Sequence, residues 1–184
     1  MNKAFVKEDD AWDEPEAPVD PLAGIPTGGR NYMTSAGAAA LRAELNTLAQ
    51  NERPPMVDEL NRLNQGSLGG SDNRYREVRK ALRRIERRIQ WLSGRLAVTE
   101  VIDSVENGSG RVRFGARVTV AAESGAERTY TIVGIDETCI EAGRISWASP
   151  LARALLDGRA GELVKVKTPA REEELEILAV DYPG

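Results

Sequence analysis

Val78-Arg79-Lys80-Ala81-Leu82-Arg83-Arg84-Ile85-Glu86-Arg87-Arg88-Ile89-Gln90-Trp91-Leu92 is the stretch whose reading decides the fold. Its apolar residues Val78, Leu82, Ile85, Ile89 and Leu92, with Leu96 beyond, recur at a 4-3-4-3-4 spacing that keeps one stripe on one helix face. Upstream, Leu41, Leu45, Leu48, Val57, Leu60 and Leu63 supply a second stripe. Between the two lies Gln65-Gly66-Ser67-Leu68-Gly69-Gly70-Ser71-Asp72, a glycine-rich break that no helix continues through. Two stripes that cannot face water, joined by a short break, fold back on each other as an antiparallel hairpin. Such a hairpin projects from a globular body and carries its tip to something distant.

Working outward, the first helix starts at a plausible cap, Thr34, behind Tyr32 and Met33. From Thr34 to Gln65 it spans roughly 45 Å at about 1.5 Å per residue. Pro54-Pro55 removes backbone donors and crowds the preceding turn, which predicts a kink near Asn51. After Asp103, Val105-Glu106-Asn107-Gly108-Ser109-Gly110 reads as a linker. Strands are expected over 111–114, 117–120, 128–133, 144–147, 162–167 and 174–180, and a short helix from Pro150 to Leu156. Glu137-Thr138-Cys139-Ile140 also reads as a strand. The expected class is α+β: an acidic disordered tail (1–30), a coiled-coil hairpin (31–104, tip about 65–73) and a small, mostly antiparallel β domain with one helix (110–184).

The formal charge of −4 hides a strong asymmetry. Glu8, Asp9, Asp10, Asp13, Glu14, Glu16 and Asp20 crowd the N-terminus against Lys3 and Lys7. Arg74, Arg76, Arg79, Lys80, Arg83, Arg84, Arg87, Arg88 and Arg95 crowd the second helix against Glu77 and Glu86. There is no histidine, and Cys139 is the only cysteine. Serine–histidine and cysteine–histidine nucleophile systems are excluded, as are thiolate or imidazole metal sites. Cys139 is expected to be a buried structural thiol rather than a redox centre. No apolar run approaches the roughly 20 residues of a membrane span, and the acidic N-terminus does not resemble a signal peptide. A cytoplasmic location with no membrane partner is expected.

Several motifs together resemble the Gre family of bacterial transcript-cleavage factors. They are Met33-Thr34, Leu41-Arg42-Ala43-Glu44-Leu45, Glu52-Arg53-Pro54, Tyr75 beyond the tip, and Val101-Ile102-Asp103. The C-terminal half adds Arg111 to Val120, Tyr130-Thr131-Ile132-Val133-Gly134, Ser149 to Leu156, Lys167-Thr168-Pro169 and Val180-Asp181-Tyr182. The resemblance runs from about Asn31 to Tyr182. It implies a coiled-coil hairpin followed by an FKBP-like domain that docks on the rim of the RNA polymerase secondary channel while the hairpin enters the pore. It also implies a tip acidic pair, in a motif like Gly-Asp-Leu-Ser-Glu-Asn-Ala-Glu-Tyr, that helps hold a magnesium ion at the polymerase active centre. Magnesium takes hard oxygen ligands, which is why carboxylates serve there.

This chain departs from that pattern at the tip. Aligned without gaps, the acidic positions fall on Leu68 and Ser71, and Asp72 takes the family's asparagine position. A one-residue slide puts Ser67 and Gly70 there instead. Either register leaves no acidic pair, and Arg74 replaces the acid before Tyr75. The expected protein is a divergent Gre-like regulator that enters the channel without stimulating cleavage, with no active site and no cofactor of its own. It would compete with cleavage factors or hinder nucleotide entry. The other reading is that Asp72, through a shifted loop, still supplies a weak magnesium ligand and leaves reduced activity. A regulator of initiation acting through the same channel is a further alternative.

Arg76, Lys80, Arg83 and Arg87 lie at 4-3-4 spacing as one basic stripe. It reads either as a solvated face balancing acids such as Asp58 and Glu59, or as a surface attracting nascent RNA phosphates without sequence preference. Ser149, Pro150 and Arg153 are the expected polymerase-docking residues, exposed while Leu151, Leu155 and Leu156 pack the core. Trp147 belongs either to that core or to the contact surface. Trp91 is expected to pack at the hairpin base. An FKBP-like fold invites a prolyl isomerase reading. Phe114, Tyr130, Trp147 and Tyr182 are too few aromatics to line such a pocket. The expected partners are bacterial RNA polymerase and RNA phosphates, bound by a monomer.

Overall fold

The computed structural model describes residues 19–26, 30–65, 73–102, 110–167 and 172–182. The first helical arm comprises α1 (Ser35–Asn46), a π-helical turn (Thr47–Glu52) and α2 (Arg53–Gln65). The return arm is α3 (Asn73–Ala97), 25 residues without interruption. Thr34 caps α1 from extended backbone, its hydroxyl accepting from the Gly37 amide at 3.0 Å.

The kink expected near Asn51 takes the form of that π-helical turn. Pro54 and Pro55 have no amide to give to carbonyls four residues back, and their rings crowd those carbonyls. The chain widens by one residue per turn just before them, and the Arg53 amide reaches back to the Leu48 carbonyl. The helix then continues rather than breaking.

Cross-arm ion pairs mark the direction and register of the hairpin. Glu44 pairs with Arg88, Arg53 with Glu86, and Glu59 with Arg74. Partners on the first arm rise in number as those on the second fall, which is the antiparallel arrangement. Val78, Leu82 and Leu92 are buried along the seam, whereas Ile85, Ile89 and Leu96 are half-buried, as a rod of only two helices requires.

At the base of the rod, β1 (Asn31–Met33) runs parallel to β2 (Thr99–Val101). These short strands, which the sequence pattern did not signal, tie the start of one arm to the end of the other. Met33 is buried between them and the rest of the base.

The second unit is a five-stranded sheet of order β5-β4-β3-β7-β6. Its strands are β3 (Arg117–Ala122), β4 (Glu127–Val133), β5 (Arg144–Ser146), β6 (Leu163–Lys167) and β7 (Glu172–Asp181). All neighbours pair antiparallel except β4 and β5, which are parallel. The helix α4 (Pro150–Leu155) lays Ala152 and Leu155 into a core with Val112, Val118, Val120, Ile132, Leu175 and Ile177. The α+β architecture is therefore as expected.

Two expected strands are not strands. Residues 111–114 contribute only a bridge between Arg111 and Arg159, since Val112 must turn inward beneath α4. Glu137 ends a 3₁₀ turn (Ile135–Glu137), and Cys139 pairs with Arg144 across a tight turn instead of entering the sheet. Cys139 is half-exposed rather than buried, and hydrogen bonding by the Ala142 amide and Arg144 holds its thiol below the usual cysteine range. Beside it Ile140 stands 88% exposed on the turn. Residues 19–26, read from composition as tail, form a turn against the rod.

Candidate functional site

The expected tip positions Leu68, Ser71 and Asp72 lie outside the described residues, so their chemistry rests on residue type. A leucine has no donor atom for a hard cation, a serine hydroxyl is neutral, and only one carboxylate stands between Gln65 and Asn73. That donor set does not fit the paired-carboxylate ligation of magnesium.

The four residues of the expected basic stripe sit on α3, where Arg76 and Lys80 are exposed and Arg83 and Arg87 half-buried. Arg76 donates to the Asn73 side chain at 3.0 Å. The neighbouring cations divide by function. Arg74 and Arg88 are engaged across the hairpin, Arg88 gripping both oxygens of Glu44 at 2.6 and 2.9 Å. That grip holds the Glu44 carboxyl below the usual glutamate range and raises the Arg88 guanidinium. Arg88 also lies 4.6 Å from the centre of the Trp91 ring, and Arg95 lies 5.6 Å from it, which sets Trp91 beside the residue that anchors the hairpin base.

Arg95 does not belong to the basic face at all. It is 1% exposed, and its guanidinium faces two distant parts of the chain at once. Nε and Nη2 donate to the two carboxylate oxygens of Asp136 at 2.7 and 2.9 Å. Nη1 donates to the carbonyls of Pro21 and Ala23 at 2.6 and 3.1 Å. Four of its five N–H groups are thus used, in the fork geometry that suits arginine to bidentate pairing. Asp136 also accepts from the Asn31 amide at 3.4 Å, and that amide bonds the Thr99 hydroxyl at 2.9 Å.

Beside this pair, Glu137 joins the start of α1 to the sheet unit. It accepts from the Thr34 amide at 2.9 Å, from the Thr34 hydroxyl, and from the Gly134 amide at 3.0 Å. Gly37 is needed for the approach: a Cβ there would lie 2.3 Å from the Glu137 carboxylate. Tyr32 completes the junction, its ring 5.4 Å from Trp147 edge-on and 6.3 Å from Phe114. Trp147 therefore packs both on the sheet core and against the hairpin base. A cleft of about 660 Å³ borders the junction between Thr34, Leu41, Ile102, Glu137 and Arg144. The arrangement is chemically a clamp that orients a rod, with every carboxylate in it already bonded to a donor.

The expected docking residues cluster at the start of α4. Ser149 caps the helix by accepting from the Ala152 amide at 3.1 Å, and Pro150 occupies the first turn. Pro150 and Arg153 are exposed, while Ser149 is half-buried and engaged in the cap. Arg95, Asp136 and Glu137 were not singled out from sequence. The available signal was that Arg95 stands one helical turn beyond Leu92, on the side of the apolar stripe.

No helix among the described residues is long and apolar enough to cross a membrane. Residues 31–101 match the family described as transcription elongation factor, N-terminal, and residues 107–182 the family described as transcription elongation factor, GreA/GreB, C-term. The chain is 40% identical over 154 residues to transcription elongation factor GreB of Neisseria meningitidis serogroup B, covering 83% of this chain and 94% of that one. It is 39% identical over 151 residues to transcription elongation factor GreA of Ruegeria pomeroyi, covering 82% and 96%. The solved GreA factor homolog 1 (Gfh1) of Thermus thermophilus is 26% identical over 83% of this chain and 99% of that one, with a TM-score of 0.38. Matched along both units and at this identity, the chain belongs to the GreA/GreB family of transcription elongation factors.

Proposed function

We propose that this chain is a divergent Gre-family regulator that seats its sheet unit on the rim of the RNA polymerase secondary channel, inserts its rod, and does not stimulate transcript cleavage. One observation carries the reading: between Gln65 and Asn73 the only carboxylate is Asp72. Losing charged ligands for a catalytic divalent ion costs several kcal/mol of transition-state stabilisation, about 1.4 kcal/mol for each tenfold in rate. The protein then acts as a competitor of cleavage factors or an obstacle to nucleotide entry. It has no active site of its own, works as a monomer in the cytoplasm, and meets nascent RNA phosphates through Arg76, Lys80, Arg83 and Arg87. Docking uses Pro150 and Arg153, with Ser149 setting the helix start. The buried Arg95–Asp136 pair supports this reading, because a probe needs a fixed angle on its base.

The second reading, an elongation factor with weakened cleavage stimulation, is favoured by the 40% identity to GreB and by Asp72, a carboxylate that a shifted loop could bring to a ligand position. Backtracked elongation complexes mixed with the protein and magnesium separate the two. Unchanged RNA with slowed extension is the expected result; robust RNA shortening overturns the proposal in favour of the second reading.

A further inference from the structure

Residues 1–18 carry Glu8, Asp9, Asp10, Asp13, Glu14 and Glu16, and lie outside the residues that match the family. The structure describes where this segment joins the body. Residues 19–26 form a strap turned by the Leu22 amide bonding the Asp20 carboxylate at 2.8 Å and the Ile25 amide bonding the Leu22 carbonyl at 3.0 Å. Two strap carbonyls, those of Pro21 and Ala23, are held by buried Arg95. Pro21 rests on α3 where Gly94 leaves room, since a Cβ at Gly94 would come 2.7 Å from the Pro21 ring. The strap thereby delivers Val19 and Asp20 to a groove of about 580 Å³ bounded by Arg84, Arg87, Arg88 and Trp91.

We propose that the acidic segment 1–18 occupies the basic face of α3 within the same molecule, anchored by the strap, and screens that face from polyanions. Reach is sufficient: the segment extends to about 60 Å at roughly 3.3 Å per residue, against about 38 Å for the whole of α3. The tether raises the effective concentration of the acids into the millimolar range. Opposite charge then supplies attraction that needs no ordered contact, suiting a segment with little to bury. The inference goes beyond the functional reading above and requires no polymerase.

The probe is a fluorescently labelled single-stranded RNA dodecamer, with anisotropy read at low and high salt. Three variants are compared with the full chain: deletion of residues 1–18, neutralisation of the six acids to Asn or Gln, and Gly94→Ala. The last crowds Pro21 off the rod without changing charge. Deletion and neutralisation are expected to tighten RNA binding about tenfold at low salt, the difference closing at high salt as counterions screen the pairing. Gly94→Ala is expected to recover part of that gain. Equal affinity of full chain and both tail variants at low salt overturns the proposal, as does absence of binding in every variant. Gly94→Ala behaving as the full chain overturns the anchoring role of the strap. Screening that grows with protein concentration overturns the intramolecular arrangement.

Discussion

Arg95 shows how one side chain organises the molecule. Removing it leaves Asp136, whose side chain is 9% exposed, as a buried carboxylate with only a long side-chain contact to Asn31 among the described residues. Breaking such a pair from one side costs about 3–5 kcal/mol. Arg95→Met is therefore expected to lower unfolding free energy by that amount in urea titration. Adding Asp136→Asn is expected to restore part of it, because the stranded charge is gone. A loss below about 1 kcal/mol for the single variant sinks this account of the junction. The Glu44–Arg88 pair is a contrasting case, its side chains 38% and 44% exposed. Glu44 is depressed in the folded chain, so its contribution is present above the ordinary glutamate range and disappears as pH falls through the folded value. Solvent screening holds that contribution to about 0.5 kcal/mol. Glu44→Gln is expected to cost that much at neutral pH and nothing measurable once the carboxyl is protonated.

At the scale of elements, burial along the rod is uneven, and stability follows it. Leu92 is fully buried near the base, where Arg95, the strap and the sheet unit add a third layer. Ile89, one turn toward the tip, is half-buried in a rod with only one neighbour. Leu92→Ala is expected to cost about 3–5 kcal/mol and Ile89→Ala about half as much, measured by urea unfolding. Equal losses contradict a base-anchored rod. The helical arms were legible in sequence because a heptad stripe and a glycine-rich break are local signals. The widened turn at Thr47–Glu52 was legible as a kink, since Pro54 and Pro55 create it, but its hydrogen-bond pattern was not. The strands β1 and β2 were not legible. Three residues each carry no periodicity, and only the meeting of the arms makes them pair.

For the whole molecule, the proposal is that a docked sheet unit leaves the rod with no paired carboxylates to deliver. Leu68→Asp combined with Ser71→Glu is expected to confer RNA shortening on backtracked complexes where the parent chain is expected to give none, read on a sequencing gel. Failure of this variant to shorten RNA while still binding polymerase contradicts the assignment of those positions. Arg153→Glu, on the exposed side of α4, is expected to weaken polymerase binding at least about tenfold in a salt-dependent manner, without changing thermal stability. Under the same proposal the basic stripe is expected to govern contacts with phosphate and to leave docking unchanged.

Residue type and local spacing alone determined the two helical arms, the break in the helical pattern between them, most of the sheet-forming segments and the single carboxylate between Gln65 and Asn73. Each is set by neighbours within a few positions, where hydrophobic period, proline and glycine act directly. Tertiary structure decided the rest. It took Arg95 from an apparently solvated row of cations and buried it, and moved Cys139 from the core to a turn. It also joined Thr34 to Glu137 across 103 positions. Burying a charge is favourable only when partners distant in the chain converge on it, and that convergence exists only after the chain has folded.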